Sequence, residues 1–292
     1  MPDTILVTGA TGTVGAELVR ALSNRGVHVR AGVHSVIKGD RLRQFNPEVQ
    51  LVELDFQRPE TLGVALTGVD RVFLLVPLAE TQVEDSKRFI DAAKAAGVKQ
   101  VVKLSVMGAE AEPGIQLGRW HREAEQYLAQ SGLPYVILRP NSFMQNFLTY
   151  QGASIRGQGR IYQPQGEGRA SYIDAFDIAE VAAAILTADV ARHHGRAYPL
   201  TGPEALSNNE VATIISQTTN HPVQYIDVPE EAARQGMQGA PQWMIDAIME
   251  LNALIRAGYT ATITTDVQQL TGRPPRTMQE FVRVHRAEFL PA

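Results

Sequence analysis

The chain has 292 residues, of which 44% are hydrophobic and 20% charged, a composition that suits one large α/β domain or a domain with a small lobe. Its formal net charge of −4 lacks the basic excess that is typical of nucleic-acid-binding proteins. The absence of cysteine excludes disulfides, thiolate catalysis and cysteine-ligated metal sites.

The chain begins with a strand pattern and lacks the regions of a signal peptide. No apolar run approaches the roughly 20 residues that a membrane span needs. We therefore expect a cytoplasmic protein with a small-molecule substrate, no nucleic-acid or membrane partner and no metal site. The sequence is compatible with either a monomer or a homodimer.

Short apolar runs alternate with helical patterns in the first half. Strands that alternate with helices pair in parallel through right-handed crossovers, so this pattern predicts a Rossmann-type, doubly wound parallel sheet of the α/β class. The runs VFLLV and VVKLSV are apolar at nearly every position, which is typical of strands covered on both faces. The predicted strands are Thr4–Thr8, His28–Val33, Gln50–Leu54, Arg71–Val76, Gln100–Leu104 and Tyr135–Leu138. The predicted helices between them are Val14–Arg25, Glu60–Leu66, Thr81–Ala96 and Gly118–Gln130.

The alternation ends after about Asn141. The glycine-rich stretch Gly152–Gly168 predicts a loop or an irregular strand. A strand is predicted near Ala197–Leu200, and helices at Asp177–Ala188, Ser207–Thr218, Pro229–Gln235, Gln242–Ala257 and Thr277–Glu288. We predict a nucleotide-binding domain over 1–150, to which 172–200 return, and a smaller, mostly helical substrate lobe over 151–292.

A glycine-rich run follows the first strand and opens the first helix. Gly9 permits a tight turn, Gly12 lets a pyrophosphate approach the backbone, and Gly15 lets the helix pack closely on the sheet. Free N–H groups and the helix dipole then face the phosphates. The predicted dinucleotide contacts are Gly9, Thr11, Gly12, Thr13, Val14 and Gly15. The alternative is a strand–helix turn that binds no ligand.

The segment after the second strand bears on the choice of cofactor. Enzymes that prefer NAD place an acid roughly 20 residues after the loop to bind the ribose 2′-hydroxyl. Here no acid stands between residues 17 and 40, and His34 and Lys38 occupy the expected place, with Arg41 and Arg43 just beyond. This pattern favours NADP(H) over NAD(H), unless the cations belong to a solvated surface helix.

Further cofactor contacts are predicted at the ends of the next strands, because ligands of such sheets bind there. Asp55 and Phe56 would flank the adenine, although Phe56 also fits a core position. Val76 and Pro77 would lie beside the nicotinamide ribose.

Three motifs together resemble the NmrA-like branch of the atypical short-chain dehydrogenases/reductases. They are VTGATGTVG at Val7–Gly15, LRPNSFMQN at Leu138–Asn146 and YIDAFDIAEVAA at Tyr172–Ala183. The resemblance covers essentially the whole chain. It implies a Rossmann core, a small C-terminal substrate lobe and NAD(P) binding, in a family that contains quinone and dye reductases as well as cofactor-sensing regulators with little or no turnover.

The Tyr-x-x-x-Lys pair of ordinary short-chain dehydrogenases is absent, since no tyrosine has a lysine four residues on and the last lysine is Lys103. Related isoflavone reductases use a lysine on the helix after the fifth strand, and the resemblance places His121 at or near that position. Glu125 shares its helix face and would orient the ring and raise its pKa, which would make His121 either a proton donor or a ribose anchor. A surface His–Glu pair is the alternative. Ser105 is expected either to hydrogen-bond a substrate carbonyl or to be a buried strand-end serine.

Residues after the sixth strand complete the predicted site. Pro140 and Asn141 are expected to line the nicotinamide. Aromatic and methionine side chains suit a flat apolar acceptor, although such a stripe also fits a core. The predicted substrate contacts are Phe143, Met144, Phe147, Tyr162 and Trp243.

Together these features predict an NADPH-dependent reductase that transfers hydride to a small conjugated or aromatic acceptor, such as a quinone, azo dye, imine or enone. An NADP(H)-binding redox sensor with little turnover is the main alternative. A sugar-nucleotide epimerase is a lesser one, because it normally needs the missing Tyr-x-x-x-Lys pair.

Overall fold

A computed structural model of the chain describes residues 2–291. Its strands are β1 (Thr4–Val7), β2 (His28–Val33), β3 (Gln50–Glu53), β4 (Arg71–Leu74), β5 (Gln100–Leu104), β6 (Tyr135–Pro140), β7 (Arg160–Gln163), β8 (Arg169–Ala170), β9 (Arg196–Leu200), β10 (Leu206–Ser207) and β11 (Gln224–Asp227).

Its α-helices are α1 (Thr13–Leu22), α2 (Val36–Gly39), α3 (Pro59–Leu66), α4 (Gln82–Ala95), α5 (Gln116–Gln130), α6 (Asn146–Thr149), α7 (Gly152–Gln158), α8 (Ala175–Leu186), α9 (Val190–His193), α10 (Asn208–Thr219), α11 (Glu230–Gly236), α12 (Gln242–Arg256), α13 (Asp266–Thr271) and α14 (Met278–Val284). Two 3₁₀ turns lie at Asp40–Gln44 and Arg286–Phe289. None of the helices in residues 2–291 combines the length and the apolar composition needed to cross a membrane.

The chain divides into two compact units. The first unit contains 2–140, Ala175–Pro199 and Gln269–Gly272. The second contains Asn141–Asp174, Leu200–Gln268 and 273–291. The chain thus leaves the first unit at the end of β6 and returns to it through α8 and α9.

The first unit is built on a seven-stranded sheet in the order β3-β2-β1-β4-β5-β6-β9. Strands β1 to β6 pair in parallel with their neighbours. On one face, Leu6, Val72 and Val101 pack against Leu66 of α3 and Ile90 of α4. Helices α1 and α8 contact each other, and α8 lies on β4, β5 and β6. The predicted Rossmann-type sheet is confirmed, and its strand order reverses between β1 and β4, where such folds bind nucleotides.

The second unit contains two small sheets and most of the remaining helices. Strands β7 and β11 pair in parallel, and β8 and β10 pair antiparallel. A separate core forms around Phe147, Tyr172, Ile215 and Phe281. The unit has the mostly helical character predicted for the C-terminal lobe.

The prediction of a loop or irregular strand over Gly152–Gly168 is wrong in its first part. Residues Gly152–Gln158 form α7, whose Ile155 is fully buried. The helix ends at Gly159, which adopts a φ of 63°, and a Cβ there would lie 2.4 Å from the carbonyl oxygen of Pro222. The glycines therefore terminate a helix here instead of abolishing it.

Candidate active site

The loop between β1 and α1 has the geometry of a phosphate cradle. Gly9 has a φ of 60°, and a Cβ at Gly15 would lie 2.2 Å from the carbonyl oxygen of Gly9, so a side chain at Gly15 would force the loop and helix apart. Helix α1 starts after Gly12 with no side-chain cap and no acid in its first turn. Its first N–H groups are thus left to an anion, and the loop fits the pyrophosphate of a dinucleotide.

A cation from beyond the second strand reaches this loop. The guanidinium of Arg41, in the 3₁₀ turn after α2, donates a hydrogen bond to the carbonyl oxygen of Thr11. Lys38 is exposed on α2, and His34 is 80% exposed with its Nδ1 3.6 Å from Oδ2 of Asp55. Among these cations, the fold therefore fixes Arg41 at the glycine-rich loop. Arg41 lies further along the chain than His34 and Lys38, but the 3₁₀ turn that carries it brings its side chain back to the loop.

The predicted contacts at the ends of β3 and β4 divide into open and buried positions. Oδ1 of Asp55 accepts a hydrogen bond from the N–H of Gln57 at 2.9 Å. Phe56 and Val76 are buried in the core of the first unit, and the ring of Phe56 lies 5.8 Å from that of Phe89. The geometry of Phe56 thus matches the core alternative. Pro77 is exposed at the strand end.

A buried polar cluster lies at the ends of β5 and β6 beneath α4 and α5. The Ser105 hydroxyl donates to Oε1 of Glu125. The guanidinium of Arg139, on β6, donates to both carboxylate oxygens of Glu125, at 3.1 Å and 2.6 Å. Another nitrogen of Arg139 lies 2.9 Å from the carboxylate of Glu110 in the loop before α5. Because the one hydroxyl proton of Ser105 is directed at Glu125, Ser105 offers other groups an acceptor and not a donor.

His121 does not have the environment that the sequence suggested. Its Nε2 lies 3.1 Å from the side-chain amide of Gln82 on α4, while Glu125 is held by Ser105 and Arg139. Burial lowers the pKa of His121 well below its usual value, and the charge of Lys103 lowers it further. The expected carboxylate partner and raised pKa are therefore wrong, because Arg139 from β6 takes the carboxylate that shares the helix face of His121.

Lys103 is the residue of this cluster that sequence reasoning missed. Its side chain is only 1% exposed, and Nζ donates to the carbonyl oxygen of Leu104 at 3.1 Å. Burial lowers the pKa of Lys103 to about 8, against the opposing effect of the Glu125 charge. A lysine inside the otherwise apolar run VVKLSV was the available signal, since such a position is seldom occupied by a charge without a reason.

In the second unit, several predicted residues serve the fold. Both amide hydrogens of Asn141 are used, on the hydroxyl of Ser171 at 2.7 Å and the carbonyl of Thr260 at 2.8 Å. Met144 and Phe147 are buried in the core cluster of this unit.

The partly exposed side chains among the predicted substrate contacts are Phe143, Tyr162 and Trp243. In the first unit, Pro140 is a buried residue at the end of β6.

The family assignment comes from comparison with known proteins. The model of the NmrA-like family matches residues 1–282. The chain belongs to the NmrA-like family. The resemblance drawn from the three sequence motifs is thereby confirmed.

Relatives and solved structures of this family include reductases and a regulator. An NAD(P)H azoreductase of Xenophilus azovorans is 43% identical over 288 residues, covering 98% of this chain and 99% of the relative. The NADPH complex of the Escherichia coli quinone oxidoreductase QOR2 is 25% identical with a TM-score of 0.82, covering 95% of this chain and 98% of that one. The transcriptional regulator NmrA in complex with NADP is 21% identical with a TM-score of 0.80, covering 97% and 94%, a likeness of fold alone.

Proposed function

We propose that this chain is a reductase that transfers hydride from NADPH to a small conjugated or aromatic acceptor, of which quinones and azo dyes are the first to test. The broader class, an NAD(P)H-dependent oxidoreductase, is supported by the near full-length azoreductase relative. The observation that carries the finer proposal is the uncapped phosphate loop with Arg41 seated on its Thr11 carbonyl.

The charges around this loop support the proposed preference for NADPH. The 2′-phosphate that distinguishes NADPH from NADH is a dianion near neutral pH and favours guanidinium and ammonium partners. Arg41 and Lys38 are both exposed on this side of the first unit, and residues 18–39 contain no acid. Asp55, at the end of the neighbouring β3, has the guanidinium of Arg58 3.4 Å from its Oδ2, which offsets its charge.

The proposed acceptor class follows from the proton chemistry available. When bound, the nicotinamide supplies a hydride, which an electrophilic conjugated acceptor takes with little acid assistance. The missing Tyr-x-x-x-Lys pair argues against substrates that need a strong proton donor. For the acceptor itself, Phe143, Tyr162 and Trp243 stay our predicted contacts, because their partly exposed rings provide apolar surface.

The test is NADPH consumption, followed by loss of its absorbance, against a panel of quinones, azo dyes, imines and enones. We expect turnover with at least one member and tighter binding of NADPH than of NADH. Tight NADPH binding with no turnover across the panel would contradict the reductase and favour the second candidate, a redox sensor. That candidate is supported by the absent Tyr-x-x-x-Lys pair and would show different affinities for NADPH and NADP⁺.

A further inference from the structure

A cavity of about 330 Å³ lies within the second unit, between α12 and the segments that follow β7 and β11. We propose that it binds a small neutral molecule of one or two rings whose carbonyl oxygen accepts a hydrogen bond from Nδ2 of Asn252. Small-molecule sites typically have volumes of roughly 300–1,000 Å³, so the cavity suits a ligand of this size. The inference goes beyond the proposed reductase function and does not depend on it.

The walls of the cavity come from one helix face and two strand ends. Met249, Asn252 and Ala253 follow the spacing of three and four residues that places side chains on one face of α12. The other wall contains Pro164 and Pro229, which follow β7 and β11, two strands that pair in parallel and end side by side. Pro164, Met249 and Asn252 are buried, whereas Pro229 and Ala253 are exposed at the mouth. The lining is thus mostly apolar, which suits the rings of a ligand.

This cavity is separate from the substrate contacts predicted for the second unit. Trp243 stands nine residues before Asn252 on α12, which is about two and a half helical turns, so the two side chains leave the helix on opposite faces. Phe143 and Tyr162 do not line the cavity either. A ligand bound here would therefore occupy a site of its own.

A chain of buried hydrogen bonds ends at the cavity. The Tyr172 hydroxyl donates to Oδ1 of Asn208 at 3.4 Å, and Nδ2 of Asn208 donates to Oε1 of Gln165 at 2.8 Å. Nε2 of Gln165 in turn donates to Oδ1 of Asn252 at 2.7 Å. All four side chains are buried. Each link fixes the orientation of the next amide, because an amide that accepts through its oxygen keeps its nitrogen as a donor.

The last donor of this chain, Nδ2 of Asn252, is unused. It is shielded from solvent and has no hydrogen-bond partner among residues 2–291. Oδ1 is turned to Gln165, which does not line the cavity, so Nδ2 is the polar atom that Asn252 can present to a ligand. The last torsion of an asparagine is broad, so a small rotation brings Nδ2 to a ligand oxygen. A buried donor without a partner is destabilising, and an acceptor in the cavity relieves this.

The charged groups that line the cavity favour a neutral ligand. The guanidinium of Arg256 already donates to the carboxylate of Asp227 at 2.8 Å and to the carbonyl oxygen of Pro164 at 3.0 Å. Glu230 is paired with Arg234, with 2.8 Å between the carboxylate and the guanidinium. Because each of these charges has a partner of opposite sign, the cavity does not attract an ion strongly enough to offset the loss of its hydration. A ketone or quinone is therefore the class of ligand that fits.

The test is an NMR titration of the isotope-labelled protein without nucleotide, in which the side-chain amide signal of Asn252 is followed. The probes are 1-tetralone and 1,4-naphthoquinone, and tetralin is the matched control, since it keeps the two rings of tetralone and lacks the oxygen. Asn252→Asp keeps an acceptor for Gln165 but replaces the donor by an oxygen. Ala253→Phe fills the mouth of the cavity and leaves the amide chain intact. Its control is Ala257→Phe, at an exposed position four residues further on that does not line the cavity.

We expect both carbonyl probes to bind and to shift the Asn252 amide signal, and tetralin to bind about tenfold more weakly than tetralone. Asn252→Asp should remove this preference for tetralone. Ala253→Phe should abolish binding of tetralone and tetralin alike, and Ala257→Phe should bind both as the wild type does. If Asn252→Asp fails to fold, the comparison of tetralone with tetralin and the Ala253→Phe variant decide the question.

Three results would overturn the proposal. One is the absence of binding up to the solubility limit of the carbonyl probes, which would leave water as the occupant of the cavity. The second is equal affinity for tetralone and tetralin, and the third is an unchanged affinity for tetralone in Ala253→Phe. None of these measurements involves NADPH, so their failure leaves the proposed reductase function to its own assay.

Discussion

Replacing the buried Lys103 by methionine is expected to stabilise the protein at neutral pH. Burial lowers the pKa of Lys103 from 10.5 to about 8, a difference of about 2.5 units. At about 1.4 kcal/mol per unit, the folded state carries a cost of about 3 kcal/mol when the lysine is charged. Methionine fills a similar volume without a charge, so Lys103→Met should raise the free energy of unfolding at pH 7 by up to about 3 kcal/mol.

The sign of the pH dependence follows from the same shift. The folded-state pKa lies below the unfolded value, so between pH about 8 and about 10.5 the unfolded chain binds more protons than the folded one. The destabilising effect of Lys103 on the wild type therefore decreases as the pH rises through this window. The difference in unfolding free energy between Lys103→Met and the wild type shrinks towards zero at the upper end of the window. Other titrating groups cancel when the two proteins are compared at each pH.

The assay is urea unfolding of both proteins in steps from neutral to alkaline pH, with Lys99→Met as the matched control. The Asp70 carboxylate raises the pKa of Lys99, so replacing Lys99 by methionine should not stabilise the protein. A less stable Lys103→Met at neutral pH, or a difference that does not narrow as the pH rises, would refute this account of Lys103.

Three further changes test other parts of the site. Arg41→Ala should weaken NADPH binding about tenfold and leave NADH binding nearly unchanged. The control is Arg43→Ala, which should alter neither dissociation constant, because the Arg43 side chain pairs with an acid in its own turn. Gly15→Ala places a Cβ 2.2 Å from a carbonyl oxygen, so it should lower the free energy of unfolding in urea by about 1–3 kcal/mol and also weaken cofactor binding. In the control Gly63→Ala, the added Cβ meets nothing within 4 Å, and the free energy of unfolding should rise by about 1 kcal/mol. Arg139→Met leaves its carboxylate partner buried and unpaired and should lower the unfolding free energy by about 3–5 kcal/mol; a smaller loss in calorimetry would show that the carboxylate protonates or finds water.

The backbone of the glycine-rich loop after β1 could be predicted because its signal is local. A glycine run of the right spacing between an apolar strand and an amphipathic helix determines its own backbone, and the structure shows the turn at Gly9 and the close approach at Gly15. The sheet could be predicted for a similar reason, since apolar runs and helix periodicity recur along the first 140 residues.

The cluster beneath α5 could not be predicted, because it is assembled from distant segments. Helix spacing placed His121 and Glu125 on one face, but the carboxylate is taken by Arg139 of β6 and the ring by Gln82 of α4. Nothing in the local pattern of either helix indicates these partners. The importance of Lys103 likewise depends on its complete burial, which only the packed sheet reveals.

Arg139 binds two carboxylates, one exposed and one buried, and this arrangement matters for engineering the protein. Glu110 is 60% exposed in the loop before α5, yet the guanidinium that it contacts also holds the carboxylate that fixes the Ser105 hydroxyl. A substitution at the surface can thus reorient a buried hydroxyl without entering the interior. Libraries that aim to alter acceptor range should therefore vary the exposed residues 110–113 before the buried positions, because this part of the loop contacts Arg139 and its variation leaves the core sequence intact.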